Sequence, residues 1–126
     1  MTREHNRSSP QLDAWRGDFG DAYVGRNELG EGAIEKRTAM LTRILQPLAE
    51  APPQSILEVG ANIGINLRAL AGLTTARLVA LEPNAGARRR LIDDGVVTAD
   101  DVLEGAADSI PLADGAVDMA FTSGVL

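Results

Sequence analysis

From Ala33 to Glu50 the apolar residues Ile34, Leu41, Ile44, Leu45 and Leu48 recur at helical spacing, with Glu35, Lys36, Arg43 and Gln46 on the opposite face. This predicts an amphipathic helix that kinks or ends near Pro47. After the break at Ala51-Pro52-Pro53-Gln54, the short apolar run Ser55-Ile56-Leu57-Glu58-Val59 ends in a glycine turn and predicts a buried strand. Helical spacing resumes over Ile63 to Ala71, through Ile63, Leu67 and Leu70. A second nearly continuous apolar strand is predicted over Arg77 to Glu82. Asn84 suits the N-cap of a helix over Ala85 to Asp94. Val102-Leu103 predicts a short third strand, and the alternation of Val117, Met119 and Phe121 a fourth over Val117 to Thr122. Strands alternating with helices imply crossover connections and a parallel sheet, hence an α/β fold.

The segment before the first helix reads differently. Residues 1–12 are polar and charged and are expected to form a disordered tail. Trp15, Phe19 and Tyr23 crowd three of the four aromatic side chains of the protein into nine residues, interleaved with Gly17, Gly20 and Gly25. This block has no clean periodicity and reads as an ordered segment packed against something else. The expected organisation is therefore a tail over 1–12, an N-terminal segment with the amphipathic helix over 13–54, and an α/β core over 55–126.

Charge and composition narrow the function. Twelve basic and 18 acidic residues leave a net charge of −6, and residues 91–126 hold eight acidic and no basic side chains, so nucleic acid is not an expected partner. The absence of cysteine excludes thiol nucleophiles and thiolate metal sites and fits a reducing compartment. With no apolar run of about 18 residues, neither a membrane span nor a membrane partner is expected, and a cytoplasmic protein is.

The candidate chemistry lies in Glu58-Val59-Gly60-Ala61-Asn62-Ile63-Gly64, where a buried strand turns into a helix. Gly60 permits a tight turn and close approach of a ligand, Asn62 tolerates positive φ, and Gly64 permits the helix to pack closely on the strand. The spacing G-x-x-x-G departs from the G-x-G-x-x-G of dinucleotide sites, and the preceding carboxylate of Glu58 repels a diphosphate while attracting an ammonium or sulfonium. Glu82 ends the second strand 24 residues later, where a carboxylate can accept both hydroxyls of a ribose. A ligand with a ribose and a positive charge but no phosphate satisfies both features, a combination that describes S-adenosyl-L-methionine.

ILEVGANIGINLRAL followed by LVALEPN resembles the first two motifs of the class I methyltransferases. The resemblance implies a Rossmann-like, doubly wound parallel sheet and S-adenosyl-L-methionine as cofactor. It places Glu58 near the methionine end, wraps the backbone of Gly60, Ala61, Asn62 and Gly64 around the cofactor, and assigns the ribose to Glu82, with Pro83 and Asn84 beside it. EGAADSIPLADGAVDMAFTSGVL resembles the third region, which includes Ser123. The family commonly has Asp where this chain has Ala106, so the resemblance leaves the adenine to backbone groups near Ala106 and Ala107, or to Asp108. More narrowly, WRGDFGDAYVGRN, GANIGINLRAL and FTSGVL resemble the pseudaminic acid biosynthesis-associated methylases. In that reading Trp15, Tyr23 and Arg26 form a cap over the cofactor, Arg26 facing its carboxylate, and the methyl acceptor is a small molecule, a sugar or nucleotide-sugar.

Simpler readings stand beside these. Trp15 to Asn27 equally suits a cover for the core. Arg88-Arg89-Arg90, next to Asp93 and Asp94, reads as a solvated helix face rather than a phosphate site, and Asp100, Asp101 and Glu104 as exposed acids rather than a metal site. His5 lies in the tail, and no residue presents itself as a general base. Four strands are fewer than the seven of a class I methyltransferase, and the chain stops in the apolar Gly124-Val125-Leu126, so a C-terminally truncated, four-stranded half is expected. An exposed edge on the fourth strand would then favour self-association. A non-catalytic fragment or subunit and an NAD-binding oxidoreductase domain remain the alternatives.

Overall fold

The computed structural model describes residues 16–17 and 32–123. Four strands form one parallel sheet in the order β3-β2-β1-β4, with β1 at Ser55–Val59, β2 at Arg77–Leu81, β3 at Val102–Leu103 and β4 at Met119–Thr122. Helix α1 spans Ala33–Leu45 and passes into a 3-10 turn at Gln46–Leu48. Helix α2 spans Ile65–Ala71 and α3 spans Ala85–Asp93. The strand and helix positions agree with the hydrophobic pattern to within a few residues at each end, and Pro47 lies in the 3-10 turn that closes α1.

Alternation along the strands divides the core between the two faces of the sheet. Ile56, Ala80, Met119 and Phe121 face Leu41 of α1, Leu67 and Leu70 of α2, and Leu91 of α3. On the other face Leu57, Val59, Val79 and Leu81 are covered by Leu103, Leu112 and Val117. Among the described residues, all three helices thus serve one face, and the 104–118 connection serves the other. Two side-chain bonds pin the amino end of the β1–β4 pair: Gln54 donates its backbone N–H to Asp118 Oδ2 at 2.7 Å, and Ser55 Oγ accepts from Asp118 N at 2.8 Å.

The hydrophobic pattern overstated two features. Ile44 and Leu48, placed on the buried face of the first helix, are exposed at 44% and 40%, and Leu41 is the residue of α1 that is fully buried. The covered stripe is narrow because α1 packs on the short helix α2 rather than on the sheet at large. Val117 alternates with Met119 and Phe121 in sequence, yet it precedes β4 and joins the opposite cluster.

Charged side chains set the spacing of the helices. Asp94 accepts from Arg68 Nη2 at 2.7 Å and from Arg90 Nε at 2.8 Å, which links α2 to the end of α3; the Arg68 bond, then the Arg90 bond, hold its carboxyl below the usual range. Arg77 donates to Asp101 Oδ1. Arg88 departs from the solvated face expected of it. It folds back so that Nη1 donates to the carbonyls of Glu82 and Pro83 at 2.9 and 2.8 Å, and it lies 3.9 Å from Glu104. Of the three acids read as exposed, Asp101 and Glu104 therefore each face an arginine, Asp101 being mostly covered.

Gly64 is held in place by sterics. Its φ is +83°, and a Cβ there would lie 2.5 Å from Leu91 Cδ2 and 3.3 Å from Val96 Cγ1. The close approach it permits is to α3 and the turn after it, rather than to the strand. Gly64→Ala combines left-handed strain with overpacking and is expected to lower the unfolding free energy by about 2 to 4 kcal/mol in a urea titration. A change within about 0.5 kcal/mol would contradict this packing.

Candidate functional site

The sheet order places the switch in chain direction between β1 and β4. β2 and β3 extend from one side of β1, and β4 pairs on the other. In open α/β sheets ligands bind outside the carboxyl ends of the strands at such a point. Here that end is built from the β1–α2 loop at 60–64, the β2–α3 turn at 82–84, the segment after β3 and Ser123 after β4. Thr122 Oγ1 donates to the carbonyl of Val59 at 3.0 Å and closes the β1–β4 pair beside the loop.

The loop takes its shape from backbone conformation and one carboxylate. Gly60 and Gly64 have φ of +77° and +83°, and Asn62 adopts φ +54°, the positive-φ position its side chain tolerates. The N–H groups of Gly60 and Ala61 both donate to the carbonyl of Leu81, at 2.8 and 3.1 Å. Glu82, 3% exposed, then receives the N–H of Asn62 on Oε1 at 2.7 Å and the N–H of Asn84 on Oε2 at 2.9 Å. One buried carboxylate thereby ties the β1–α2 loop to the β2–α3 turn. Asn84 continues the arrangement as the N-cap of α3, its Oδ1 accepting from Ala87 N at 2.9 Å.

Glu58 is the second buried carboxylate, at 2% exposure on the helix-covered face of β1. Its Oε2 accepts from the side-chain amide of Asn66 at 2.8 Å, and Asn66 Oδ1 accepts from Arg37 Nη1 at 3.1 Å. Its Oε1 is buried and has no hydrogen-bond partner among the described residues. Burial pushes the carboxyl of Glu58 up to about 7; the Asn66 bond and the Arg37 charge oppose the rise, and the charge of Glu82 adds to it. Burial also raises the carboxyl of Glu82, against its bonds from Asn84 and Asn62 and the charge of Arg88. The site therefore holds two desolvated carboxyl groups that repel one another, an electrostatic arrangement suited to a cation.

Most of the expected site residues converge on this end. Asn62 and Asn84 are joined through the Glu82 carboxylate, Gly60 and Ala61 share the Leu81 carbonyl, and Gly64 donates its N–H to Ala61 O at 2.9 Å. Glu58 stands near the end of β1, bonded to Asn66, and Pro83 lies between Glu82 and Asn84 with its carbonyl on Arg88. Ala106 and Ala107 follow β3, whose Leu103 carbonyl accepts the N–H of Glu82 at 3.0 Å, and a turn is closed there by Ser109 N donating to Ala106 O at 3.0 Å. Ser123 directly follows β4. Trp15, Tyr23 and Arg26, the expected cap, lie outside the described residues, as do Phe19 and His5. Among the described residues no cluster of three or more His, Asp or Glu side chains could hold a metal ion, and no helix is long and apolar enough to cross a membrane.

Asn66 and Arg37 carry no motif that marks them in the sequence. Each is a polar residue on the inward stripe of an amphipathic helix: Asn66 lies between Ile63 and Leu70, and Arg37 between Ile34 and Leu41. That interruption of an apolar stripe was the available signal.

The family model described as a methyltransferase domain matches residues 57–126, more than half of the chain, and spans both carboxylates. The chain belongs to this methyltransferase domain family. Among solved structures it is similar to the plantazolicin methyltransferase BpumL in complex with SAH, at 16% identity and a TM-score of 0.54, over 89% of this chain and 44% of that one. It also matches the geranyl diphosphate C-methyltransferase of Streptomyces coelicolor A3(2), at 18% identity, TM-score 0.48, 91% of this chain and 54% of that one. A third match is the methyltransferase PaMTH1 of Podospora anserina, at 22% identity, TM-score 0.45, 92% and 59%. The likeness to BpumL supports a Rossmann-like fold for this methyltransferase domain, which spans less than half of BpumL's length. No curated protein sequence matches the chain.

The raised carboxyl of Glu58 has a stability consequence with a definite sign. Its folded value of about 7 exceeds the ordinary 4.5, so the folded chain binds the proton more tightly than the unfolded one. The resulting stability is present below pH 4.5 and is lost as pH rises through about 7, a loss of about 3 kcal/mol at about 1.4 kcal/mol per pH unit. Glu58→Gln removes this dependence and keeps an acceptor for Asn66. Its unfolding free energy should exceed that of the wild type by a few kcal/mol at pH 8 and match it near pH 4.5, in denaturant titrations at both pH values. A variant no more stable than wild type at pH 8 would contradict the assignment.

Proposed function

We propose that this chain binds S-adenosyl-L-methionine at the carboxyl end of β1 and β2 and forms the cofactor-binding half of a methyltransferase acting on a small molecule. The observation that carries the reading is the pair of buried carboxylates flanking one loop. Among the described residues Glu58 Oε1 is buried without a partner, and Glu82 is fixed by two backbone N–H groups. A phosphate-bearing dinucleotide would meet two buried acids, whereas an amino acid joined to a nucleoside brings an ammonium for Glu58 and ribose hydroxyls for the remaining lone pairs of Glu82. Its sulfonium supplies an electrophilic methyl group when bound. Gly60, Ala61, Asn62 and Gly64 line the approach with backbone, Pro83 and Asn84 flank the ribose carboxylate, and the backbone at Ala106 and Ala107, with Ser123, borders the adenine side.

The protein's part in methyl transfer is to hold the two reactants in line and keep water away. Trp15, Tyr23 and Arg26 belong to a cap in this reading, with Arg26 on the carboxylate of the cofactor. The motif resemblance to pseudaminic acid biosynthesis-associated methylases favours a sugar-like acceptor. Calorimetric titration with S-adenosylhomocysteine, with NAD as comparator, checks the proposal. Saturable binding of S-adenosylhomocysteine alone is expected, weakened at least tenfold by Glu82→Ala, since a hydrogen-bonded buried charge is lost. Preference for NAD, or no binding by the folded chain, would contradict it.

A further inference from the structure

Glu58 is the terminus of a chain of contacts that begins outside the family match. Arg37 stands on α1, whereas the match starts at residue 57. Its guanidinium donates to Asn66 Oδ1 at 3.1 Å, which orients the amide so that Nδ2 faces Glu58 Oε2 at 2.8 Å. Asn66 is 4% exposed on a helix otherwise packed through Leu67, Ala69 and Leu70, a position where an apolar side chain would serve packing alone. A buried amide is oriented by whichever partners accept from and donate to it, and here both are charged groups on different elements. The charged groups that act on Glu58 are Arg37 from α1 and Glu82 at the end of β2. Asn66 of α2 and Phe121 of β4, its neighbour in the sheet register, are neutral.

We propose that Arg37 and Asn66 are positioning residues for the amino-acid end of the ligand: Arg37 fixes the amide of Asn66, Asn66 holds Oε2 of Glu58, and Oε1 is thereby presented to the ligand's ammonium. The proposal rests on the cofactor reading above and adds to it a role for α1. It explains why, among the described residues, one oxygen of a buried carboxylate is held while the other is not. It also supplies the counter-charge that lets Glu58 ionise near neutral pH despite its burial. Ligand binding then releases a proton below about pH 7, and affinity rises with pH through that value.

The full chain, titrated with S-adenosylhomocysteine and with 5′-methylthioadenosine, tests this, because the second ligand has the nucleoside but no amino-acid group. Arg37→Ala and Asn66→Ala should weaken S-adenosylhomocysteine about tenfold or more, as expected for a hydrogen bond to a charged group, while 5′-methylthioadenosine changes less than about twofold. Arg37→Lys should recover much of the loss through its charge. In Arg37→Ala the midpoint of the pH dependence should move upward. Equal weakening of both ligands would assign the two residues to the fold alone, and unchanged binding of both would also overturn the proposal. Failure of the wild-type chain to bind either ligand would instead contradict the cofactor reading. The relay would then be decided by carbon NMR titration of the Glu58 carboxyl without ligand, which must show a higher midpoint in Arg37→Ala; an unmoved midpoint overturns it.

Discussion

The carboxylate of Glu82 is the constraint on which the site depends. It stands at the end of β2, buried, and receives one N–H from the loop after β1 and one from the turn before α3. Two connections of the sheet, each of which would otherwise leave a backbone donor unsatisfied in a buried setting, are thus locked to one another. The positive φ of Asn62, the bond of Asn62 Oδ1 from Ile63 N and the capping of α3 by Asn84 all follow from where those two N–H groups must point. Arg88 reinforces the turn from the other side by taking the carbonyls of Glu82 and Pro83.

That arrangement brings two acids together in a low-dielectric region, which is unfavourable unless something offsets it. The chain provides partial compensation. Arg88 lies near Glu82, and the charge of Arg37 and the amide of Asn66 both act on Glu58. Each carboxyl is nonetheless raised above its ordinary value by burial. Strain of this kind at the carboxyl end of a parallel sheet is characteristic of a place where charge is to be met by a ligand.

Much of this was legible in the chain. The short, largely apolar runs at 55–59, broken by Glu58, and at 77–81, headed by Arg77, announce strands buried on both faces, and Gly60, Asn62 and Gly64 announce the loop because few other residues tolerate its dihedral angles. Asn84 was readable as a cap from its place before α3. What was not legible depends on contacts between elements far apart in sequence. The inward turn of Arg88 requires two free carbonyls that only the folded β2–α3 turn creates. The Arg37–Asn66–Glu58 line requires α1 to lie on α2, and periodicity along α1 alone put Ile44 and Leu48 on the covered face, where the structure leaves them exposed. Side-chain period reports which face of a helix is apolar, but the width of the neighbour it meets decides how much of that face is covered.

In the reading proposed above, the Glu82-tied loops form a cradle for a ligand that carries a ribose and an ammonium. Nitrogen-15 NMR of the chain during titration with S-adenosylhomocysteine, which has both, reports on that cradle residue by residue. Saturable shifts of the backbone amides of Asn62 and Asn84 and of the side-chain amide of Asn66 are expected, with the remainder of the sheet little changed. Saturable shifts confined to other parts of the chain, with those three groups unmoved, would contradict it.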